Sequence, residues 1–328
     1  MEYYNKEIHD SIEKSIQIKP DDLFMSETNW KYLVGSILRG KNVLLVGHSG
    51  CGKTVSAYKV SEALNKKLFV FNMGATQDPR STLIGNTHYD KEKGTFFAPS
   101  YFVQSIQTEN AVILLDELSR AHPEASNILM TVLDRNQRFL RLDEDPNTPT
   151  IKVAKGVTFI STANVGTEYT GTRIMDRALM DRMDSIIEIP PLNEHEEFRL
   201  LKKLFSNISP HILTAVAQIA AFTRQDYESD SPHLSTIIST RSSIGTVELI
   251  SDGFSFTESI SVKVLPFYST EGGVDSERTF ILQKIQMFSH LDSIDVFDTS
   301  ESNISDVGEF EKSNESDEDL FDLHEDIF

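Results

Sequence analysis

The chain has 328 residues, which is long enough for two domains, and its 39% hydrophobic and 25% charged residues are typical of a globular protein. The formal net charge of −19 is uneven, because residues 291–328 contain fourteen acidic residues and one lysine, and the first 290 residues carry a net charge of only −6. This distribution argues against a strongly basic nucleic-acid groove, and no apolar stretch reaches the ~18 residues that a membrane-spanning helix needs.

The cysteine content and the first residues of the chain indicate the cellular compartment of the protein. Cys51 is the only cysteine, so the sequence excludes an intrachain disulfide and a cysteine-based zinc site. Residues 1–4 do not begin a signal peptide. Together with the lack of a membrane-spanning stretch, these features predict a cytoplasmic protein.

The first elements precede a glycine-rich loop. Residues 1–26 are polar with weak helical signals, and we assign them to an N-terminal extension. Apolar residues at helical spacing predict an amphipathic helix over Thr28–Leu38, which ends before Gly40. Val43–Val46 is apolar and too short for a helix, so it predicts a buried strand.

The loop that follows this strand has the spacing G-x-x-x-x-G-K-T. The residues that we predict bind nucleotide are Gly47, His48, Ser49, Gly50, Cys51, Gly52, Lys53 and Thr54. Lys53 can reach the β- and γ-phosphates, and the Thr54 hydroxyl can ligate Mg²⁺. Cys51 either fits the loop as a small residue, which we favour, or has a thiol pKa lowered by the helix N-terminus. The pattern predicts a nucleoside triphosphate site.

The next segment contains a second predicted strand and an insertion. Leu68–Phe71 is apolar and predicts a buried strand. Residues 73–104 predict a hairpin or loop ahead of a helix over Tyr101–Gln107. Phe96 and Phe97 in this hairpin either contact a substrate in a pore or pack onto their own domain, and the sequence leaves both interpretations open.

A third predicted strand, Ala111–Leu115, is followed directly by two acidic residues. Asp116 can hold Mg²⁺, and Glu117 can polarise the water that attacks the γ-phosphate. This motif is weak alone, but it gains weight because it follows the glycine-rich loop by about sixty residues.

The fourth predicted strand, Val157–Thr162, follows a predicted helix over Pro123–Asp134 and a predicted hairpin over 138–156. Asn164, just after that strand, either orients the attacking water and contacts the γ-phosphate or forms an ordinary Asx turn. A fifth strand is predicted over Ile186–Ile189.

Beyond Pro190 and Pro191 the periodicity is helical. The predicted helices are Glu194–Phe205, His211–Phe222, Ser239–Ile250, Phe256–Leu265 and Arg278–Phe288. The predicted division is an N-terminal extension over 1–26, a nucleotide-binding α/β domain over 27–190, a helical domain over 191–290 and an acidic disordered tail over 291–328.

The tail alternates acidic and apolar residues over 317–328. It either keeps the protein in solution, which we favour, or docks in a basic pocket of a partner.

Together, these motifs resemble the AAA+ ATPases over roughly residues 25–290. Four phrases resemble the MoxR and dynein-like branch, which includes the CbbQ/NorQ activators and the cobaltochelatase small subunit: Asp116–Ala121, Thr162–Asn164, Ala178–Met183 and Ser239–Arg241. The resemblance implies a P-loop three-layer sandwich with a five-stranded parallel sheet, followed by a small α-helical lid, which corresponds to the helical domain.

The resemblance also implies residue roles. Asp116 and Glu117 match the Walker B pair, Asn164 matches sensor 1, and Arg241 matches sensor 2. Arg182 matches the arginine finger, which acts on ATP bound to the neighbouring subunit. A trans-acting arginine requires a ring, so a homohexamer is implied.

Three further residues have weaker matches. Arg177 and Arg120 are second candidates for the trans role, or form surface salt bridges. Asn72 lies where the family places a polar residue that restrains the Walker B glutamate.

The function implied is a Mg²⁺-dependent ATPase of the MoxR type, which remodels a protein client or inserts a metal or cofactor into it, commonly through a von Willebrand factor A-domain partner. Two alternatives stay open: a nucleic-acid motor or DNA-translocating subunit, and a scaffold that binds ATP and barely hydrolyses it. ATP is favoured over GTP because the Asn-Lys-x-Asp guanine signature is absent.

Overall fold

The computed structural model describes residues 5–92, 94–143, 145, 148–164, 176–297 and 299. In chain order the strands of this part are β1 Val43–Gly47, β2 Leu68–Asn72, β3 Gly85–Asp90, β4 Gly94–Pro99, β5 Val112–Asp116, β6 Phe139–Arg141, β7 Thr150–Lys152, β8 Thr158–Asn164 and β9 Ser185–Glu188. The α-helices are α1 Lys6–Lys14, α2 Glu27–Leu38, α3 Lys53–Ala63, α4 Pro79–Leu83, α5 Tyr101–Ile106, α6 Pro123–Val132, α7 Arg177–Met180, α8 Glu194–Leu204, α9 Pro210–Tyr227, α10 Thr240–Ser251, α11 Phe256–Lys263 and α12 Glu277–Gln286.

A parallel sheet in the order β2-β5-β8-β1-β9 forms the centre of the first half, which confirms the predicted α/β fold with a five-stranded parallel sheet. Its inner strands β5 and β8 are buried on both faces because helices cover both sides of the sheet. Alternate side chains of β5 therefore lie on opposite faces of the sheet. Ile113 and Leu115 pack into a core with α5 and α6, whereas Val112 and Leu114 pack into a core with α2 and α3.

The register of the sheet aligns the carboxyl ends of its inner strands. Gly47 of β1 lies opposite Asn164 of β8, and Asn72 of β2 lies opposite Asp116 of β5. The polar residues that follow these strands therefore meet at one edge of the sheet, which is where open α/β sheets bind their ligands.

The helices from α8 to α12 enclose a separate hydrophobic core. A separate core is what a distinct helical domain requires. The boundaries at residues 26, 190 and 290 stay predictions, and most of the tail, including the whole of 317–328, lies outside the described residues.

Helix α9 extends beyond its predicted end. It runs to Tyr227, five residues past that end, because the polar residue Arg224 is buried there among partners that are distant in sequence. In this helix tertiary contacts outweigh the local pattern. The N-terminal extension contains α1, whose sequence is mostly polar and which has no fully buried residue.

The two predicted hairpins are present as β3–β4 and β6–β7. In the first, Phe97 packs against the core of the sheet, as the packing interpretation requires. Phe96 is 42% exposed and lies beside His88, with ring centroids 5.9 Å apart. Within the described part of the chain, no helix is both long and apolar enough to cross a bilayer.

The N-terminal extension is anchored to the α/β domain by α2. Trp30 is fully buried, and its Nε1 donates a hydrogen bond to the carbonyl of Ser15 at 2.9 Å. Gly35 permits the close approach of α1, since an added Cβ there would lie 2.9 Å from Cδ1 of Ile12. The indole therefore joins two segments that are separated in sequence.

We expect Trp30→Phe to lower the free energy of unfolding by about 2 kcal/mol, because it leaves the Ser15 carbonyl unpaired and opens a cavity beside α1. Urea titration followed by circular dichroism measures the change. The control is Tyr32→Phe on the same helix, where the side chain is 60% exposed and no change is expected. Equal stabilities of the two variants would contradict this account of the anchor.

Candidate nucleotide site

The glycine-rich loop links β1 to α3 in a conformation that few residues other than glycine adopt. Gly47 has φ 154°, and an added Cβ would lie 2.3 Å from the carbonyl oxygen of Ile189. Gly50 has φ 76°, and its Cβ would lie 2.8 Å from Cβ of Ser239 in the helical domain. The loop is therefore packed between β9 and the start of α10, and its glycines are required by close contact as well as by backbone angle.

Lys53, the first residue of α3, folds back along the loop. Its Nζ donates hydrogen bonds to the carbonyls of Gly47 at 2.9 Å and His48 at 2.6 Å. Burial lowers the pKa of this ammonium. The charge of Lys53 is thus held inside the loop, where phosphate oxygens can replace the two carbonyls as its partners.

Asp116 is the centre of a hydroxyl–carboxylate cluster. Its Oδ1 accepts hydrogen bonds from the hydroxyl of Thr54 at 2.9 Å and from that of Thr162 at 2.6 Å. The Thr162 oxygen in turn accepts the backbone N–H of Glu117 at 2.9 Å. Thr162 was missed as a site residue, although its position two residues before Asn164 on the same strand places both side chains on one face.

Glu117 has a left-handed backbone, with φ 56° and ψ 41°. Its carboxylate lies against Gly74, where an added Cβ would be 2.5 Å from Oε2, and Nη1 of Arg120 is 3.7 Å from the same oxygen. The Asn72 amide oxygen accepts the backbone N–H of Ala75 at 3.0 Å. In this structure the neighbours that confine the Glu117 carboxylate are Gly74 and Arg120.

A cavity of about 570 Å³ opens beside the loop. It is lined by four parts of the chain: the N-terminal extension, the loop and α3, the ends of β5 and β8, and the helical domain. The predicted site residues among its lining are Ser49, Gly50, Cys51, Gly52, Lys53, Thr54, Asp116, Glu117, Asn164 and Arg241. Gly47 and His48 contribute through the carbonyls that hold Lys53.

Sequence reasoning missed the residues that the N-terminal extension and the helical domain contribute to the cavity, apart from Arg241. Its residues are Asp22, Leu23, Phe24, Leu192, Leu200, Leu204, Thr240, Ile244 and Glu248. Leu200 and Leu204 share one face of α8, and Ile244 and Glu248 share the face of α10 that carries Arg241. For the residues on α8 and α10 helical spacing is the only signal, and it does not distinguish a cavity wall from an ordinary core.

Arg241 lies close to the loop, since a Cβ added at Gly50 would be 3.7 Å from the Cβ of Arg241. Arg182, in contrast, does not line the cavity. Its Nε donates to the carbonyl of Met130 at 2.7 Å, its Nη1 donates to that of Ala178 at 2.6 Å, and its Nη2 lies 3.5 Å from Asp134. The structure thus brings Arg241 to the loop and leaves Arg182 outside the cavity.

The oxygens of Thr54 and Asp116 suit Mg²⁺, which binds hydroxyl and carboxylate oxygens and shares its coordination with phosphates and water. The described residues contain no group of three or more His, Cys, Asp or Glu side chains placed to hold a metal ion. A cation here would therefore take its remaining ligands from the nucleotide and from water, as Mg²⁺ does in nucleotide sites.

Cys51 does not have the lowered pKa that its position at a helix N-terminus allowed. It is buried, and burial raises the pKa of its thiol, with Lys53 opposing that effect only in part. The interpretation of Cys51 as a small residue that fits the loop agrees with this environment.

Comparison with known proteins adds three findings. Residues 42–183 match the family AAA domain (dynein-related subfamily). The putative chaperone BssE of Thauera aromatica is 33% identical over 228 residues, which cover 68% of this chain and 74% of that protein. A mitochondrial Lon protease homolog of Dictyostelium discoideum is 33% identical over 178 residues, which cover 50% of this chain and 16% of that protein.

Among solved structures, a closed-state cryo-EM reconstruction of Hsp104 with ATPγS and FITC casein has a TM-score of 0.45 and 16% sequence identity to this chain. The match covers 62% of this chain and 40% of that chain.

We expect the Cys51 thiol to react with Ellman's reagent at least about tenfold more slowly in the folded protein than in urea at the same mildly alkaline pH. Burial disfavours the thiolate, so its raised pKa leaves a smaller reactive fraction at any given pH. Because the chain has one cysteine, the signal reports on Cys51 alone, and Cys51→Ser gives the blank. Equal rates in folded and unfolded protein would show that the thiol is not protected.

Proposed function

This chain belongs to the dynein-related, MoxR-like branch of the AAA+ ATPases, and on that premise we propose that it forms a ring that uses ATP and Mg²⁺ to remodel a protein client. It is an ATPase. The observation that carries the proposal is the cluster of Thr54, Asp116 and Thr162, which joins the phosphate loop to the acidic pair.

Each part of the cavity has a distinct chemical task in this proposal. The N–H groups of the loop and the N-terminus of α3 bind the phosphates, and Lys53 exchanges its two carbonyl partners for phosphate oxygens. Thr54 and Asp116 would hold Mg²⁺, which would neutralise charge on the phosphates. Glu117 takes a proton from the attacking water, and Asn164 orients that water.

Arg241 faces the loop from the helical domain, so its guanidinium can contact the γ-phosphate. This would make the relative position of the helical domain and the loop depend on whether ATP or ADP is bound. Division of the chain at residue 190 into a nucleotide-binding domain and a helical domain is part of the proposal.

Arg182 supports ring formation through its position. Because it lies outside the cavity of its own subunit, it can serve catalysis only at the nucleotide of a neighbour. Asn42 donates to the Arg182 carbonyl at 2.9 Å, and the Met130 carbonyl accepts from its guanidinium, so both ends of the residue are fixed. Arg177, which is exposed on α7, is the alternative trans residue. We propose a homohexamer as the assembly.

A protein client is supported by the similarity to the putative chaperone, which extends over most of both chains. A remodelling ATPase of the MoxR type can act through a von Willebrand factor A-domain partner and can insert a metal or cofactor into its client, and we propose this as the class of function. For the acidic segment over 317–328 we favour a role in keeping the protein in solution, and docking in a basic pocket of a partner is the alternative.

We expect Glu117→Gln to lower the steady-state ATPase rate at least about 100-fold and to leave ATP affinity within about threefold, because the amide cannot accept the proton of the attacking water. Phosphate release and binding of a fluorescent ATP analogue measure the two quantities. The matched control is Glu109→Gln at an exposed site, which should change neither. Retention of more than about a tenth of the activity would remove Glu117 from the proposed role.

Mixing two inactive variants tests the ring. Arg182→Ala retains its own Glu117, and Glu117→Gln retains its own Arg182, so a mixed ring contains some complete sites between subunits. We expect both variants to be inactive alone and their mixture to recover part of the wild-type rate, with DNA having no effect on any rate. If Arg182→Ala keeps full activity while Arg177→Ala loses it, the trans residue is Arg177; a strong stimulation by DNA would favour a nucleic-acid motor.

A further inference from the structure

A buried ion pair lies behind the cavity, in the helical domain. The side chain of Glu197 on α8 is 0% exposed and that of Arg224 on α9 is 6% exposed, and Nη1 of the arginine lies 3.1 Å from Oε2 of the glutamate. Neither Oε1 of Glu197 nor Nε of Arg224 has a hydrogen-bond partner among the described residues. A buried pair with unsatisfied atoms is a weak source of stability, so its presence calls for another explanation.

Arg224 bridges two segments that are far apart in sequence. Its Nη1 donates to the carbonyl of Leu192, which lines the cavity, and its Nη2 donates to the carbonyl of Ile238 at 3.0 Å. The preceding residue, Thr223, accepts the backbone N–H of Ile238 at 3.0 Å. One turn of α9 therefore holds both backbone groups of Ile238, just ahead of α10.

Glu197 holds the next part of the same segment. Its Oε2 accepts the hydroxyl of Thr240 at 2.9 Å, and Thr240 is followed directly by Arg241. Between Ile238 and Thr240 lies Ser239, the residue that contacts the phosphate loop at Gly50. The ion pair thus fixes the segment from which Arg241 projects towards the loop.

We propose that Glu197 and Arg224, acting through Thr240, are positioning residues for Arg241. They set the distance between its guanidinium and the γ-phosphate, a role that rests on the proposed function of the cavity. A displacement of about 1 Å in such a group can lower the rate by about 100-fold, which is enough to make a remote pair important for turnover.

The test compares affinity for ATP with affinity for ADP, because only ATP presents a γ-phosphate to Arg241. Thr240→Val keeps the shape of the side chain and removes the hydroxyl that Glu197 accepts. Arg224→Lys keeps the charge and removes the planar fork that bridges two carbonyls and a carboxylate. The matched control is Thr246→Val, also buried on α10, whose hydroxyl bonds only to the Ser242 carbonyl of the same helix.

We expect Thr240→Val and Arg224→Lys to weaken ATP binding at least about tenfold and ADP binding less than about threefold, with a matching loss in kcat/KM. Thr246→Val should change none of these values. A loss of stability alone would weaken the binding of both nucleotides equally or of neither. Urea unfolding of each variant measures that loss of stability separately. If Arg224→Lys does not fold, Thr240→Val still decides the question.

A double-mutant cycle identifies the residue through which the pair acts. If Thr240 works through Arg241, then Thr240→Val adds little to the ATP-specific loss caused by Arg241→Ala. Additive losses, or ATP and ADP affinities of Thr240→Val within about twofold of wild type, would overturn the inference. Failure of the proposed function is a different result: the wild type itself would then bind no ATP, or Arg241→Ala would not discriminate between the nucleotides.

Discussion

The carboxylate of Asp116 is the interaction on which the geometry of the site depends. Its Oδ1 accepts two hydroxyl donors at once, and the bond from Thr162, at 2.6 Å, is the shorter of the two. The donors come from α3 and from β8, and the carboxylate itself ends β5. These hydrogen bonds therefore fix the positions of the loop and the two strands relative to one another. The parallel register makes this possible, because it aligns the carboxyl ends of neighbouring strands.

Contacts between the phosphate loop and the helical domain form the second level of organisation. The His48 ring lies edge-on to Tyr227 at the end of α9, with centroids 5.5 Å apart. In the N-terminal extension, the Phe24 ring lies 5.5 Å from the guanidinium carbon of Arg199 on α8. A nucleotide in the cavity would thus touch segments that already contact one another. Whether it is ATP or ADP can therefore shift the relative positions of these segments. In the proposed function, these contacts are what would couple hydrolysis to movement.

The parts of the site that the sequence predicted are those in which chemistry and local structure coincide. Gly47–Thr54 and Asp116–Glu117 are recognisable because each requires particular residue types at fixed spacing next to a short apolar strand. Asn164 could be placed because β8 follows the same pattern, although the strand begins one residue later and ends two residues later than predicted.

The residues that sequence analysis missed depend on contacts between distant segments. Nothing local distinguishes Arg224 or Glu197 from surface charges, since their burial results from three helices packing together. Phe24 belongs to a polar extension with no periodic pattern, and its place in the cavity wall follows from the docking of α1 and α2. Arg182 matched a sequence motif of the family, but only the structure shows that its guanidinium is held outside the cavity of the same subunit.

Helix α9 connects the nucleotide site with a distant part of the helical domain. It has 18 residues and is therefore about 27 Å long, with Tyr227 at the end beside the phosphate loop. At its other end, Ser209 donates its N–H to the carbonyl of Val296, close to where the acidic tail begins. A rigid helix of this length acts as a lever: a tilt of about 10° pivoting at Tyr227 moves the Ser209 end by about 5 Å. In the proposed function, loss of one phosphate at the loop would thus be converted into a displacement of the Ser209 end that is several times larger than a bond length.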